Sequence, residues 1–151
     1  MPIVRKTGFE ADEWSREEAA ARRILPLEDA LKALGQGASG VALDLPNDAD
    51  ATRLAPHLDR IALIAVAFPA FSDGRGFSLA QRLRSLGYWG VLRASGALIP
   101  DQFAYALVCG FDEVEIDADR AARQGEAQWL ADVNRPGWYQ RALIKPEAAM
   151  A

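Results

Sequence analysis

Four short apolar runs limit what this chain can become. They begin near Val41, Ile61, Tyr88 and Phe111, at spacings of 20, 27 and 23 residues. Each gap holds a segment of helical period, so consecutive strands are predicted to be parallel, with right-handed crossovers. The run at 61–67 is apolar throughout, the pattern of a strand covered on both faces. Helices are predicted over 50–58, where Leu54 and Leu58 share a face, and over 78–86, with Leu79, Leu83 and Leu86 as its stripe and Gly87 as its stop. Two more fit 100–109, with Pro100 in the first turn and Gly110 beyond the end, and 118–131. With 151 residues the chain is too short for an eight-stranded barrel of about 250. The expectation is a small single α/β domain with at least four parallel strands covered by helices, either an open sheet or a partial-barrel-like one.

The flanks are read differently. Ser15 and Glu18 have capping-box spacing, which predicts a helix over 16–23, and a second helix fits 27–34 with Gly35 to end it. Residues 1–35 are therefore expected to form a helical extension that packs on the domain or on a partner, including a second copy in a homo-oligomer. The α/β domain then spans 36–135. A tail follows over 136–151, whose Trp138 and Tyr139 are expected to cover core or a partner. Glu113 and Glu115 alternate with apolar residues and suggest an edge strand with one wet face. Asp112, Asp117 and Asp119 would extend that solvated edge.

Composition closes several routes. Half of the residues are apolar and a quarter charged, so a packed core is assured. A net charge of -4 argues against nucleic acid or an acidic membrane surface as partner. One cysteine excludes an intrachain disulfide, and one histidine excludes a His-rich metal site. No metal set and no cofactor motif is visible: Leu79 stands where a dinucleotide fingerprint needs its third glycine, and there is no Walker loop. A flavin held by backbone alone would leave no such mark. The longest apolar stretch, 61–71, is half of what a membrane crossing needs, and no signal-peptide run opens the chain. A cytoplasmic protein is expected.

In parallel α/β folds the chemistry gathers at the carboxyl ends of the strands. That rule selects 45–48, 68–78 and the segment from Arg93 to Gln102. In the second, Gly74 and Gly76 bracket Arg75 and allow close backbone approach to a ligand. Ser78 can cap the following helix, whose N–H groups favour an anion. Arg93 is predicted to emerge beside Arg75 on the same rim, so that two guanidiniums share one small oxyanion. Asp73 and Asp101 can orient those arginines or act as acid and base. The same residues also make an ordinary turn, with Asp73 pairing an arginine only to hold the loop. His57 falls on the opposite, amino-terminal rim, and Cys109 reads as a buried thiol.

The run 68–78, followed by Leu83-Arg84, Gly87-Tyr88, Leu92-Arg93-Ala94, Asp101-Gln102 and Gly110-Phe111-Asp112, resembles a bacterial family catalogued as domain of unknown function 934. The resemblance covers about residues 38–117. It implies a small cytoplasmic protein encoded beside the sulfite reductase haemoprotein, in a family labelled as oxidoreductases of sulfite reduction. It carries over Asp73, Gly74, Arg75 and Gly76 with Arg93, Asp101 and Gln102. The chain departs from the pattern at 97–100, which reads Ala-Leu-Ile-Pro where an acidic and a basic residue are usual, and at Val108, where a basic one is common.

Two functions follow as expectations. The first is an accessory protein of assimilatory sulfite reduction, binding a small oxyanion or docking on the reductase. The second is a stand-alone enzyme with Asp73 and Asp101 as acid–base groups on an anion held by Arg75, Gly76, Ser78, Arg93 and Gln102.

Overall fold

The computed structural model describes residues 2–133. The predicted tail, with Trp138 and Tyr139, lies outside the described residues. Seven strands form one sheet in the order β2-β1-β7-β6-β5-β4-β3. These are β1 (Pro2–Arg5), β2 (Gly8–Ala11), β3 (Ile24–Leu25), β4 (Val41–Leu45), β5 (Ile61–Phe68), β6 (Val91–Gly96) and β7 (Glu113–Glu115). From β3 to β7 every neighbouring pair is parallel, while β1 runs antiparallel to β7 and to β2. The helices are α1 (Leu27–Gly35), α2 (Arg75–Ser85), α3 (Phe103–Cys109), α4 (Ala118–Arg123) and α5 (Glu126–Leu130). The α/β class and the central place of β5 agree with the apolar rhythm of the chain.

The parallel strands keep their chain order across the sheet, so every crossover moves the same way. The core shows the consequence. Leu43, Ile64, Val66, Leu92, Ala94 and Val114 pack in one cluster with Ala30 and Leu34 of α1, Leu83 of α2, Leu107 of α3 and Trp129 of α5. Side chains of opposite parity on the same strands point the other way. There Ala42, Leu63 and Ala65 form a second, small cluster with Ile24, under Trp14. Helices therefore cover one face of the sheet, and the irregular segment 12–23 lies across the other. The fully apolar β5 still finds both faces covered, but one cover is a loop.

Several local expectations are corrected. Residues 1–35 are not a helical extension: only α1 is helical, and β1 and β2 enlarge the sheet by pairing on β7. No helix forms over 16–23. Ser15 Oγ accepts the Glu17 N–H, and Ser15 and Arg23 form a parallel bridge that holds this segment as a strap. It has no apolar stripe to reward a helix. Residues 50–58 make two 3₁₀ turns, Ala51–Arg53 and Ala55–Arg60, because Pro56 interrupts the backbone ladder. The final helix splits into α4 and α5 at Gly125.

Two further shifts matter for the site. Gly87 adopts φ +100° and folds Tyr88 back, so that the Tyr88 N–H donates to Leu83 O and β6 starts only at Val91. Arg93 consequently sits inside a strand. Because β1 pairs on its outer side, β7 is not an edge, and Glu113 and Glu115 are buried. No helix among the described residues is long and apolar enough to cross a membrane.

Candidate functional site

The loop from Pro69 to Gly74 leaves the carboxyl end of β5 and is tied down at both sides. Asn47, in the loop after β4, donates its amide to Asp73 Oδ2 at 2.9 Å. Gln102, in the turn Pro100–Gln102 before α3, donates Nε2 to Phe71 O at 2.8 Å and accepts the Ile99 N–H at 3.2 Å. Both ends of the Gln102 amide are thus spent on joining loops.

Asp73 starts α2. Its Oδ1 accepts the Arg75 backbone N–H at 3.1 Å, the local turn that aspartate favours ahead of a helix. The same carboxylate takes Arg75 Nε at 3.1 Å and Nη2 at 2.8 Å, a two-pronged pair. The Arg75 guanidinium, the Arg75 N–H and Asn47 together hold the Asp73 carboxyl well below the usual carboxylate range. Arg75 is pushed upward by that partner. Its side chain is 61% exposed, and among the described residues Nη1 has no hydrogen-bond partner. A cation is held in a fixed direction at the mouth of the sheet.

Two aromatic side chains are exposed on the loop and on the helix tied to it. Phe71 and Tyr105 are both more than half exposed. Tyr105 sits one turn beyond Gln102 and meets the Phe77 ring edge-on, with centroids 4.9 Å apart. Asp101 is exposed in the turn Pro100–Gln102. Ser78 is exposed within α2 and does not cap it, because the Asp73 turn starts the helix three residues earlier. Gly76 is small for a packing reason: a Cβ there would lie 2.5 Å from Phe68 Cζ.

Arg93 is not on this rim. It projects from the middle of β6 onto the strap-covered face, 1% exposed. Nε donates to Glu113 Oε2 at 2.7 Å, Nη1 to Glu115 Oε1 at 3.0 Å, and both terminal nitrogens to Asp12, at 3.1 and 2.9 Å. Burial opposes the Arg93 charge, but the bond to Asp12 and the nearness of Glu113 outweigh it and push the guanidinium upward. Arg16 of the strap extends the cluster, donating to Glu115 Oε2 and, through two nitrogens, to Asp44, each at 2.8 Å. Arg5 completes it on Glu113 Oε1 at 2.7 Å. Every carboxylate here meets a guanidinium, as burial demands. The predicted sharing of one anion by Arg75 and Arg93 is overturned: one guanidinium is in solvent, and the other is spent on three carboxylates.

The other candidates behave as read. Cys109 is buried, with burial raising its thiol while Tyr105 and Gln81 pull it down. His57 lies in the turn ahead of β5, with Nδ1 2.7 Å from Arg60 Nη2. Sequence reasoning missed Arg16 and Asp12, which carry no local pattern, and the two arginines of α4 at the rim, Arg120 and Arg123.

A family model for bacterial proteins of unknown function (DUF934) matches residues 40–150. The match begins just before β4, so the hairpin β1–β2 and the strap precede it. No curated protein and no solved structure matches the chain. With well over half of its length matched, the chain belongs to this family of bacterial proteins, domain of unknown function 934.

Proposed function

We propose that the chain is a cytoplasmic accessory protein of assimilatory sulfite reduction that docks on the sulfite reductase haemoprotein through the carboxyl-end rim. The observation that carries this reading is Arg75, oriented by Asp73 and exposed four residues from the exposed Phe71 on the same loop. Aromatic residues and arginine dominate the energetics of protein interfaces, and a side chain already held in place loses little entropy on binding. The sulfite connection itself comes from the family resemblance.

Docking is better supported than capture of a small oxyanion between Arg75 and Arg93. The Asp73 carboxylate already occupies two nitrogens of Arg75, and Arg93 is enclosed. The stand-alone enzyme fares less well too. A carboxylate kept ionised by an arginine and an amide orients its partner; it is a poor proton shuttle near neutrality.

Sedimentation of the chain with the purified haemoprotein tests the reading. A complex is expected for the wild-type chain. It should weaken by about ten-fold or more in Arg75→Ala and in Phe71→Ala, since an interface anchor costs more than about 1 kcal/mol to truncate. Absence of a complex with the wild-type chain would sink it.

A further inference from the structure

A cleft of about 510 Å³ opens at the carboxyl ends of β5 and β6, next to the start of α4. One wall is Arg120, Arg123 and Gln124; the other is Pro69, Ala97 and Ile99. We propose that this cleft binds a small organic oxyanion, its anionic head on Arg120 and Arg123 and its compact apolar body against Pro69, Ala97 and Ile99. The proposal does not rest on docking through Arg75.

Charge is the first argument. Arg5, Arg16, Arg75, Arg84 and Arg93 each meet a carboxylate. Among the described residues Arg120 and Arg123 do not. Arg120 donates to two backbone carbonyls, Gly96 O at 2.6 Å and Leu98 O, and lies over the Trp129 ring at 5.6 Å. It has no ion pair, although Asp117 favours its charge from a distance. Arg123 makes one long contact, Nε to Asp119 O at 3.4 Å. The Asp117 carboxylate, also in the cleft, is turned to the Arg120 backbone N–H at 2.7 Å. Two like charges one helical turn apart repel, and an anion between them turns that repulsion into attraction.

The second argument is Gln124. Gln124 lines the cleft, and its Oε1 is buried without a hydrogen-bond partner among the described residues. Buried polar atoms in native structures are rarely left so, and a rotation of this side chain toward the cleft would let a ligand hydroxyl or N–H satisfy it. Turning the amide over would offer a donor instead. Location is the third argument, because this is the end of a parallel sheet where ligands gather. The apolar wall distinguishes an organic anion from a bare inorganic ion.

Calorimetric titration of the full chain with phenyl phosphate and with inorganic phosphate tests the proposal. Phenyl phosphate should bind saturably and more tightly than inorganic phosphate. Arg123→Ala, whose side chain holds nothing else in place, should keep its melting temperature and lose about ten-fold or more in affinity, and Arg75→Ala should bind as the wild-type chain does. Lack of saturable binding by the wild-type chain, or unchanged affinity in Arg123→Ala, would overturn the site. Inorganic phosphate binding as tightly as phenyl phosphate would overturn the organic ligand.

Discussion

Arg93 and Glu113 stand opposite each other on adjacent parallel strands, with Nε 2.7 Å from Oε2 and both side chains no more than 2% exposed. Each loses a short buried contact if the other is removed, although Arg93 keeps Asp12 and Glu115, and Glu113 keeps Arg5. Breaking a buried pair on one side costs up to about 3–5 kcal/mol when the remaining charge is left alone, and less when it keeps other partners. Glu113→Ala should therefore lower stability measurably, by less than that upper figure, in urea unfolding. Arg93→Met combined with Glu113→Leu should cost less than the two single changes added together, because the contact between the two is lost only once. Asp12 loses its guanidinium in both Arg93→Met and the double variant. Strict additivity would mean that the pair is not coupled.

Gly76 supplies a second expectation. A methyl group placed there would run into the Phe68 ring, which is buried against Phe77 and Phe111. Overpacking of this kind costs about 1–3 kcal/mol. Gly76→Ala should lose that much stability, and Phe68→Leu in the same chain should recover part of it. A Gly76→Ala protein as stable as wild type would return this glycine to a ligand role.

What the sequence shows and hides follows from the range of each interaction. Strands β4 and β5 and helices α1 and α2 were legible because their signals are local: apolar runs, a leucine stripe, a glycine stop. The Asp73–Arg75 pair in the loop 68–78 was also legible, since the two residues are two apart. Glu113 and Glu115 were misread for the opposite reason. Alternating glutamates look like a wet face until Arg93, 20 residues away, and Arg5, 108 residues away, are brought beside Glu113. Strand β1 is equally non-local. Its four residues begin with proline and pair with β7 from the far end of the chain. Arg93 moved from rim to interior because of one turn at Gly87, which delayed β6.

The Asp73 carboxyl, held low by Arg75 first and Asn47 after it, sets the pH behaviour of the rim. A depressed carboxyl contributes its stabilisation above the unfolded value near 3.9 and loses it only as pH falls through the still lower folded value. The Arg75 Nε–H resonance should therefore stay unchanged from pH 8 to pH 5. A titration step in that interval would show that Asp73 is free to exchange protons and would revive its acid–base role.

At the alkaline end the sensitive group is Tyr88. Its ring is 1% exposed, and its hydroxyl donates to Val91 O at 3.2 Å. Burial pushes the phenol well above its ordinary value; Arg84 draws it down and Asp112 raises it again. A group raised in the folded state binds its proton more tightly there than in the unfolded chain. Its contribution is complete below the unfolded value near 10 and is lost as pH climbs toward the folded one. Stability should thus decline above about pH 10, with Tyr88 ionising only as the sheet opens. Absorbance at 295 nm and far-ultraviolet circular dichroism, followed together, should show one phenolate step coincident with unfolding. Tyr88→Phe should abolish that coincident step and move alkaline unfolding to higher pH, while losing about 1 kcal/mol at neutrality with its hydrogen bond. A Tyr88 that ionises while the far-ultraviolet signal is intact would contradict this account of its burial.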